Sequence, residues 1–380
     1  MIQLKRKVSY QNHTLSILLI VMTLLLSACV NKEPQKSKTS AKPNKSKTST
    51  TEQRTEWKLP VSPPEGEFYK FAGWISDTEV LYITNVEQTS NVYRYHLLTG
   101  KSDLIYKSKY PIVTVEISPS KNYILIHSSP SSYEGLVTII DAKGSQKLNE
   151  SFPSHELEFE WNPYNESQIL VTKFAEDWTF SVSLLDIENS KTKELSIPQP
   201  FIKWMNEDEI AFLNWDENKP ALFAPLIGMN LDNEREKPIF PSAIHFSTFR
   251  HLIMTVTVSK QDQSKAAYSF YNQSKKEIFS FSIPQLTNFS DWLVPFYDYD
   301  ENKGQFITLQ PLSSGEIDSY MSGFQLVLYD VKKGSKKVIM EGLDNEPITI
   351  SPSGDALLFG NSFENIIDLK AKKKYKMIKE

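Results

Sequence analysis

Short apolar runs separated by polar turns recur along most of the chain. A clear copy is Ile117-Ser118-Pro119-Ser120, followed at once by Tyr123-Ile124-Leu125-Ile126. It returns near the other end as Ile350-Ser351-Pro352-Ser353-Gly354, followed by a second apolar run at 356–359. Aliphatic and aromatic residues favour strands, whereas Ser, Pro and Gly favour turns. Each copy therefore predicts a β-hairpin.

Related hairpins begin at nearly even intervals, 42–54 residues apart. Their first apolar residues are Trp74, Ile117, Trp161, Trp204, Phe246, Phe296 and Ile350. Most intervals hold a second hairpin with an Asp before its turn, as in Ile140-Asp141-Ala142-Lys143-Gly144. We interpret these aspartates as acceptors of turn hydrogen bonds. Two hairpins make four strands, and a repeated four-stranded unit of this length is typical of a β-propeller.

The spacing thus predicts an all-β fold, a β-propeller of four-stranded antiparallel blades over residues 57–380. Seven units are counted, and six blades remain the alternative. No long stretch after Glu56 has an amphipathic helical pattern. The fourth unit has Asn230 where others have Asp, so we expect it to be the most irregular. The segment Trp57-Lys58-Leu59-Pro60 could pair with the last blade and close the ring.

The N-terminus has the pattern of a secretory signal. Lys5, Arg6 and Lys7 precede an almost wholly apolar run from Leu15 to Leu26, which is shorter than the roughly 20 residues of a membrane-spanning helix. The next residues, Leu26-Ser27-Ala28-Cys29, resemble the lipobox of bacterial lipoproteins. That resemblance implies cleavage before Cys29 and lipid attachment, including palmitate, to this cysteine. A plain signal anchor with an incidental cysteine is the alternative.

The polar stretch after the cysteine predicts a tether. Residues 29–56 are rich in Lys, Ser and Thr and contain almost no large apolar residue, so they cannot bury enough surface to order themselves. We therefore divide the chain into a signal peptide (1–28), a lipid-anchored linker (29–56) and the propeller (57–380). The expected location is the extracytoplasmic face of the cell membrane.

The Ile-Ser-Pro-Ser hairpins resemble the Ser-Pro-Asp-Gly turns of TolB-type propellers. The complete plan of a lipobox, a Lys/Ser/Thr linker and a propeller resembles the YqgU-like lipoproteins of Gram-positive bacteria. That group is described as six-bladed, one fewer than the seven units counted in this sequence. The resemblance implies a membrane-anchored propeller domain and assigns it no activity.

Composition excludes some functions. The net charge of −4 gives no basic footprint for nucleic acid, and one cysteine cannot form an intramolecular disulfide. The histidines are scattered singly, so His245 and His251 are interpreted as structural or surface residues. The pair Glu158 and Glu160 resembles an ordinary exposed acidic pair. We expect no cofactor and find no motif for a catalytic nucleophile or phosphate loop.

An acidic turn is the one candidate for a metal. Asp298, Asp300 and Asn302 place oxygen atoms at alternate positions, as calcium loops do. However, Lys303 stands where such a loop needs Gly, and Leu309 stands where it needs a bidentate Glu. We therefore expect an exposed hairpin turn here rather than a metal site.

Four aromatic residues lie outside the strand pattern and next to acids or turns: Trp178, Trp215, Trp292 and Tyr297. Aromatic side chains flanked by polar groups suit sugars, peptides or protein partners, although packing between blades is the alternative. The insertion from Pro311 to Gly323 is a further candidate contact loop. The sequence thus favours a binding module for a protein or an envelope glycan. A polymer-degrading hydrolase or lyase on the same scaffold is the alternative.

Overall fold

The computed structural model describes residues 56–216, 218–219, 221–288 and 291–379. The predicted signal peptide, Leu26, Ser27, Ala28, Cys29 and nearly all of the linker lie outside these residues. In the described part, the backbone forms seven four-stranded sheets in chain order, each an antiparallel meander of strands that follow one another along the chain. We number them sheets 1 to 7.

The strands alternate with short connections throughout. The strands of sheet 1 are Glu67–Ser76, Glu79–Val86, Thr89–His96 and Lys101–Ser108. Those of sheet 2 are Ile112–Ile117, Tyr123–Ser131, Glu134–Asp141 and Gln146–Pro153. Those of sheet 3 are Glu156–Trp161, Gln168–Phe174, Phe180–Asp186 and Lys191–Leu195. Those of sheet 4 are Ile202–Trp204, Glu209–Leu213, Ala224–Asn230 and Glu236–Ala243.

The last three sheets have the same order. The strands of sheet 5 are His245–Phe249, Leu252–Val258, Lys265–Asn272 and Glu277–Pro284. Those of sheet 6 are Tyr297–Asp300, Gln305–Pro311, Phe324–Asp330 and Ser335–Leu343. Those of sheet 7 are Ile348–Ile350, Ala356–Phe359, Asn365–Asp368 and Lys373–Lys376. A small additional sheet beside sheet 6 contains Leu286–Asn288, Asp291–Leu293 and Gly315–Glu316.

Helical structure is confined to the insertion in sheet 6, in the part of the chain that the structure describes. It is a single 3-10 turn at Ile317–Ser319. No described helix has the length and apolar character needed to cross a membrane. The absence of an amphipathic helix after Glu56, predicted from the sequence, is thus confirmed for the described residues.

The fourth unit forms a complete four-stranded sheet. The expectation that it would be the most irregular is wrong, because its third and fourth strands pair with two register shifts, whereas the first two strands of sheet 1 pair with three. The turn of the fourth unit uses Asn230 in the role that Asp has elsewhere: the Asn230 Oδ1 accepts the backbone N–H groups of Asp232 and Asn233, both at 3.2 Å. Asp141 does the same for Lys143 and Ser145, both at 2.9 Å. An amide oxygen accepts such bonds as a carboxylate does, so the turn keeps its shape.

The first strand of each sheet is the innermost, because first strands of neighbouring sheets contact one another at most junctions of the ring. Two tryptophans join neighbouring sheets at this level. Trp204 of sheet 4 donates its indole N–H to the Glu160 carbonyl of sheet 3 at 3.1 Å. Trp74 of sheet 1 donates to the Thr349 carbonyl of sheet 7, also at 3.1 Å. The first and last sheets are therefore joined by the same contact as two consecutive ones.

The ring closes without exchange of a whole strand. Sheets 1 and 7 share a buried apolar cluster to which Trp74, Leu358 and Met377 belong. The segment before sheet 1 lies along the last strand of sheet 7, where Val61 forms a parallel bridge with Ile378 and Trp57 contacts Tyr375 edge to face. The predicted closing role of this segment is confirmed, with the backbone pairing at Val61.

The meander gives the ring two different faces. Connections between second and third strands, and the links between sheets, emerge on one face, which we call the mouth face. The hairpin turns between first and second strands, and between third and fourth strands, emerge on the other, which we call the turn face. The described chain enters at the turn face, where the Lys58 N–H donates to the Leu97 carbonyl at 2.6 Å.

Candidate binding site at the channel mouth

Exposed apolar side chains are concentrated on the mouth face. Ten of the fifteen exposed large hydrophobic residues in the described part lie in its connections, and none lies in a turn of the turn face. Phe201 is 70% exposed and Met321 is 92% exposed. The ten residues are Tyr110, Tyr133, Trp178, Phe201, Trp215, Leu222, Phe223, Phe296, Leu312 and Met321. A concentration of this kind on one face indicates an interaction surface.

A cavity of about 390 Å³, the mouth cavity, opens on this face between sheets 3, 4 and 5. Phe201 and Trp215 stand at its rim, since both belong to mouth-face connections. Glu160, Lys203 and His245 line it from the first strands of the three sheets. Its volume lies in the range of roughly 300–1,000 Å³ that is usual for small-ligand sites.

An ion pair joins two sheets inside the channel. The Lys203 ammonium lies 2.5 Å from a Glu160 carboxylate oxygen, and the two side chains are 42% and 22% exposed. This exposure is to the channel, because both residues are on innermost strands. Although burial alone would lower the pKa of Lys203, the attraction of Glu160 and Glu116 raises it. Lys203 therefore stays charged at neutral pH.

A neutral pair stands beside this ion pair. The Nε2 of His245 and the hydroxyl of Tyr297 are 2.7 Å apart, across sheets 5 and 6. Burial and the charge of Lys203 lower the pKa of His245 to about 4, and burial raises the pKa of Tyr297. At neutral pH neither side chain is ionised, so they offer hydrogen bonds without net charge.

A second cavity of about 230 Å³, the acidic cavity, lies between sheets 2 and 3. It shares Glu158 and Phe159 with the mouth cavity. Its lining contains four glutamates and neither lysine nor arginine; the glutamates are Glu116, Glu134, Glu156 and Glu158. Burial, and repulsion by Glu160 and Glu158, raise the pKa of Glu116 to about 8. Negative charge in this part of the channel is therefore only partly compensated.

The sign of this shift predicts how stability depends on pH. Native Glu116 keeps a proton up to about pH 8, whereas the unfolded chain releases it near pH 4.5. The free energy of unfolding should therefore fall as pH rises through this window. We expect Glu116→Gln to remove that loss. Because channel water screens the charge, the variant should be about 1–3 kcal/mol more stable than wild type at pH 9.

Chemical denaturation at several pH values between 4 and 9 measures this effect. Glu188→Gln is the matched control, since Glu188 is exposed in a turn-face connection and should leave the profile unchanged. If the free energy of unfolding changes with pH in the same way for wild type and for Glu116→Gln, the pKa of Glu116 is not raised in the native protein.

A known family model matches most of the ring. The description of that family is "YqgU-like 6-bladed beta propeller domain", and the match covers residues 96–360. The chain belongs to this family. The matched residues include sheets 2 to 6 whole, with parts of sheets 1 and 7. The family description gives six blades, whereas the described residues of this member form seven four-stranded sheets.

Similarities to individual proteins support membership in this family. The chain is 26% identical over 355 residues to a Bacillus subtilis protein named "Uncharacterized lipoprotein YqgU", covering 93% of this chain and 94% of that protein. The crystal structure of lmo1340 from Listeria monocytogenes matches with a TM-score of 0.78 and 24% identity, covering 84% and 97% of the two chains. The β-propeller domain of the Trilobed protease of Pyrococcus furiosus matches with a TM-score of 0.57 and 12% identity, covering 82% and 98%. The likeness to the two structures shows the fold.

In this YqgU-like propeller, three of the four aromatic residues singled out from the sequence lie close together. Trp215 lines the mouth cavity. Trp292 and Tyr297 line an adjoining cavity that shares His245 with it, and Trp292 packs on Phe223 with ring centroids 4.9 Å apart. Trp178 lies further out on the mouth face, where it is 63% exposed and contacts Phe174.

The acidic turn considered as a metal candidate is held by other contacts, and it is not the exposed turn that the sequence predicts, because Asp300 is only 7% exposed. Asp298 accepts the backbone N–H of Ile350, from sheet 7, at 2.7 Å. Asp300 accepts the N–H of Lys303 at 3.0 Å within its own turn, and Asn302 is exposed there. Within the described ranges, no group of three or more His, Cys, Asp or Glu side chains is placed to hold a metal ion.

One expectation about polar residues is wrong. Glu160 is not part of a surface pair but faces the channel in contact with Lys203. His245 joins two sheets through Tyr297, which is compatible with the structural role expected of it, and it also lines the mouth cavity and the adjoining cavity of Trp292 and Tyr297. The available signal was positional: Glu160, Lys203, His245 and Tyr297 all lie on the first strand of a unit, the strand that lines the axis.

Proposed function

We propose that this protein is a lipid-anchored binding module on the extracytoplasmic face of the cell membrane, with the mouth face as its binding surface for a protein or envelope-glycan partner. The observation that carries this proposal is the concentration of exposed aromatic and apolar side chains around the mouth cavity. Exposed aromatic residues beside polar groups are enriched at binding sites.

Membrane attachment rests on Cys29. It directly follows Leu26, Ser27 and Ala28 in a lipobox-like sequence, and the Bacillus subtilis relative is named a lipoprotein. Two or three acyl chains give stable anchoring, whereas a single chain gives only marginal binding. We expect Cys29→Ala to move the protein from the membrane fraction to the soluble fraction, as followed by immunoblotting. Retention of the variant on membranes would contradict lipid anchoring.

The binding role is tested with a Phe201→Ala/Trp215→Ala double variant. Wild-type protein and the variant are produced in the native host and cross-linked to envelope material on intact cells. We expect wild type to form specific adducts and the double variant to lose most of them, because aromatic anchors at an interface each contribute about 2 kcal/mol or more.

Ile278→Ala is the matched control for that experiment. Ile278 is also exposed but lies on the outermost strand of sheet 5, away from the mouth face. It should cross-link as wild type does. Equal adducts from all three proteins would show that the mouth face is not the binding surface.

A polymer-degrading hydrolase is the second candidate function, favoured by one observation. The pKa of Glu116 is about 8, so the channel holds a carboxylic acid able to donate a proton at neutral pH, beside Glu158 and Glu160 of the next sheet. General acids work best with a pKa near the working pH. Release of reducing ends from envelope glycan by wild type, and its loss in Glu116→Gln, would favour this function over binding alone.

A further inference from the structure

The two cavities are adjacent, because Glu158 and Phe159 line both, so one ligand of sufficient length would reach both. One end of the pair of cavities is apolar, with Phe201 and Trp215 at the rim and Leu213 and Phe246 among the lining residues. The other end is acidic. A ligand that fills both ends must combine a flat or apolar portion with a positive charge.

The lining of the acidic end contains no lysine or arginine. Lys203 and Lys70 attract Glu116 from outside this lining. In the described part of the chain, however, neither the Glu116 nor the Glu158 carboxylate forms a direct hydrogen bond or ion pair, and Lys203 is in contact with Glu160 instead. Burial and repulsion by Glu156 raise the pKa of Glu158, against the attraction of Lys203. A bound cation would relieve this repulsion and form charge-assisted hydrogen bonds.

His127 is a neutral polar group in the wall of the acidic cavity. Its side chain lines the cavity and is 6% exposed. Its Nδ1 has no hydrogen-bond partner among the described residues, but this atom is sealed from solvent, so a ligand in the cavity can meet only the other edge of the ring. Burial lowers the pKa of His127 to about 4, so the ring adds no positive charge to the cavity at neutral pH.

We propose that the adjacent cavities bind a glycan that carries a free amino group: its ammonium lies among Glu116, Glu158 and His127, and its sugar rings pack on Phe201 and Trp215. This deepens the proposed function and rests on it. Sugar rings present apolar faces that pack on aromatic side chains, and the serines of the acidic cavity, Ser129, Ser131 and Ser154, suit sugar hydroxyl groups. A metal ion is a poorer occupant, because no ligand set of three or more side chains is found in the described residues.

The test uses the full-length lipidated protein in detergent micelles and calorimetric titration with three probes. The probes are a glucosamine tetramer, its fully N-acetylated counterpart and tetralysine. We expect the glucosamine tetramer to bind at least about tenfold more tightly than either of the others, since one charge-assisted hydrogen bond contributes about 1.5–3 kcal/mol. Glu158→Gln should weaken its binding by about tenfold or more.

Two further variants make the outcome decisive. Glu188→Gln lies in the same sheet as Glu158 but on the turn face, and it should bind as wild type does. Glu116→Gln is not expected to harm folding, and because the Glu116 carboxyl holds a proton at neutral pH in the free protein, this variant should weaken binding less than Glu158→Gln does.

Each unfavourable outcome has a separate meaning. Equal binding of the N-acetylated tetramer, dependent on Trp215, would overturn recognition of the amine and leave the mouth face as a binding surface. Tighter binding of tetralysine would assign the site to a cationic peptide and overturn the glycan. If neither glycan binds, the inference fails, while the cross-linking experiment on cells still decides the proposed function.

Discussion

Replacing Trp74 with alanine is expected to lower the free energy of unfolding by about 3–5 kcal/mol, the usual cost of removing a buried aromatic side chain. Trp74 is 2% exposed and packs in the cluster shared by sheets 1 and 7. Its indole N–H also donates a hydrogen bond to the Thr349 carbonyl of sheet 7, across the junction between sheets 1 and 7. Since the ring closes without an exchanged strand, only the short segment around Val61 links these two sheets along the chain, and the variant weakens the junction that depends most on side-chain contacts.

Denaturant unfolding, with hydrogen exchange as a local probe, measures this effect. Trp204→Ala removes the equivalent contact between sheets 3 and 4 and should cost a similar free energy, but without increased exchange in residues 57–66 and 373–379. Trp178→Ala, on the exposed mouth face, should cost less than about 1 kcal/mol. If Trp74→Ala lowers the free energy of unfolding by no more than Trp178→Ala does, the junction between sheets 1 and 7 does not depend on the Trp74 side chain.

Replacing Lys203 with methionine is expected to lower the free energy of unfolding by about 2–3 kcal/mol at pH 8. Removing one partner of a fully buried ion pair costs about 3–5 kcal/mol, and the partial exposure of Lys203 to the channel reduces that figure. Without the ammonium, the Glu160 carboxylate has no counter-ion in the native state, so its pKa rises further and its ionisation destabilises the fold. The loss should therefore grow as pH rises from about 5 to about 8, and it should nearly vanish at pH 4.

The double variant Lys203→Met/Glu160→Gln separates charge from packing. It removes both charges of the pair, so it should recover most of the stability lost by Lys203→Met alone. Denaturation curves at pH 4 and pH 8 suffice for this comparison. If Lys203→Met is as stable as wild type at pH 8, channel water screens these charges almost completely, and the electrostatic account of the site is wrong.

The architecture could be predicted from the sequence because local turn chemistry repeats in every unit. Ser118 and Ser351 hold their turns through side-chain hydrogen bonds to the backbone of the following strand, and such bonds depend on neighbouring residues alone. The wrong prediction about the fourth unit also came from comparing local turn residues. Asn230 was interpreted as a departure from the Asp pattern, although its amide oxygen performs the same task.

The channel could not be predicted in the same way. An innermost strand is the edge of its sheet, so its polar residues alternate with apolar ones as they do on any strand with one solvent-exposed face. Nothing local distinguishes Glu160 in the channel from Glu150 on an outer strand. Their environments differ only because other sheets, distant in sequence, complete the ring around Glu160 with Lys203, His245 and Tyr297.

The place where the described chain enters the ring has a consequence for attachment at the cell surface. Lys58 is held at the turn face by Leu97, and the 28 residues from Cys29 to Glu56 can span at most about 100 Å when extended. Under the proposed lipid attachment, the tether therefore joins the ring on the face opposite to Phe201 and Trp215, so the point of attachment and the proposed binding surface do not compete for the same side of the propeller.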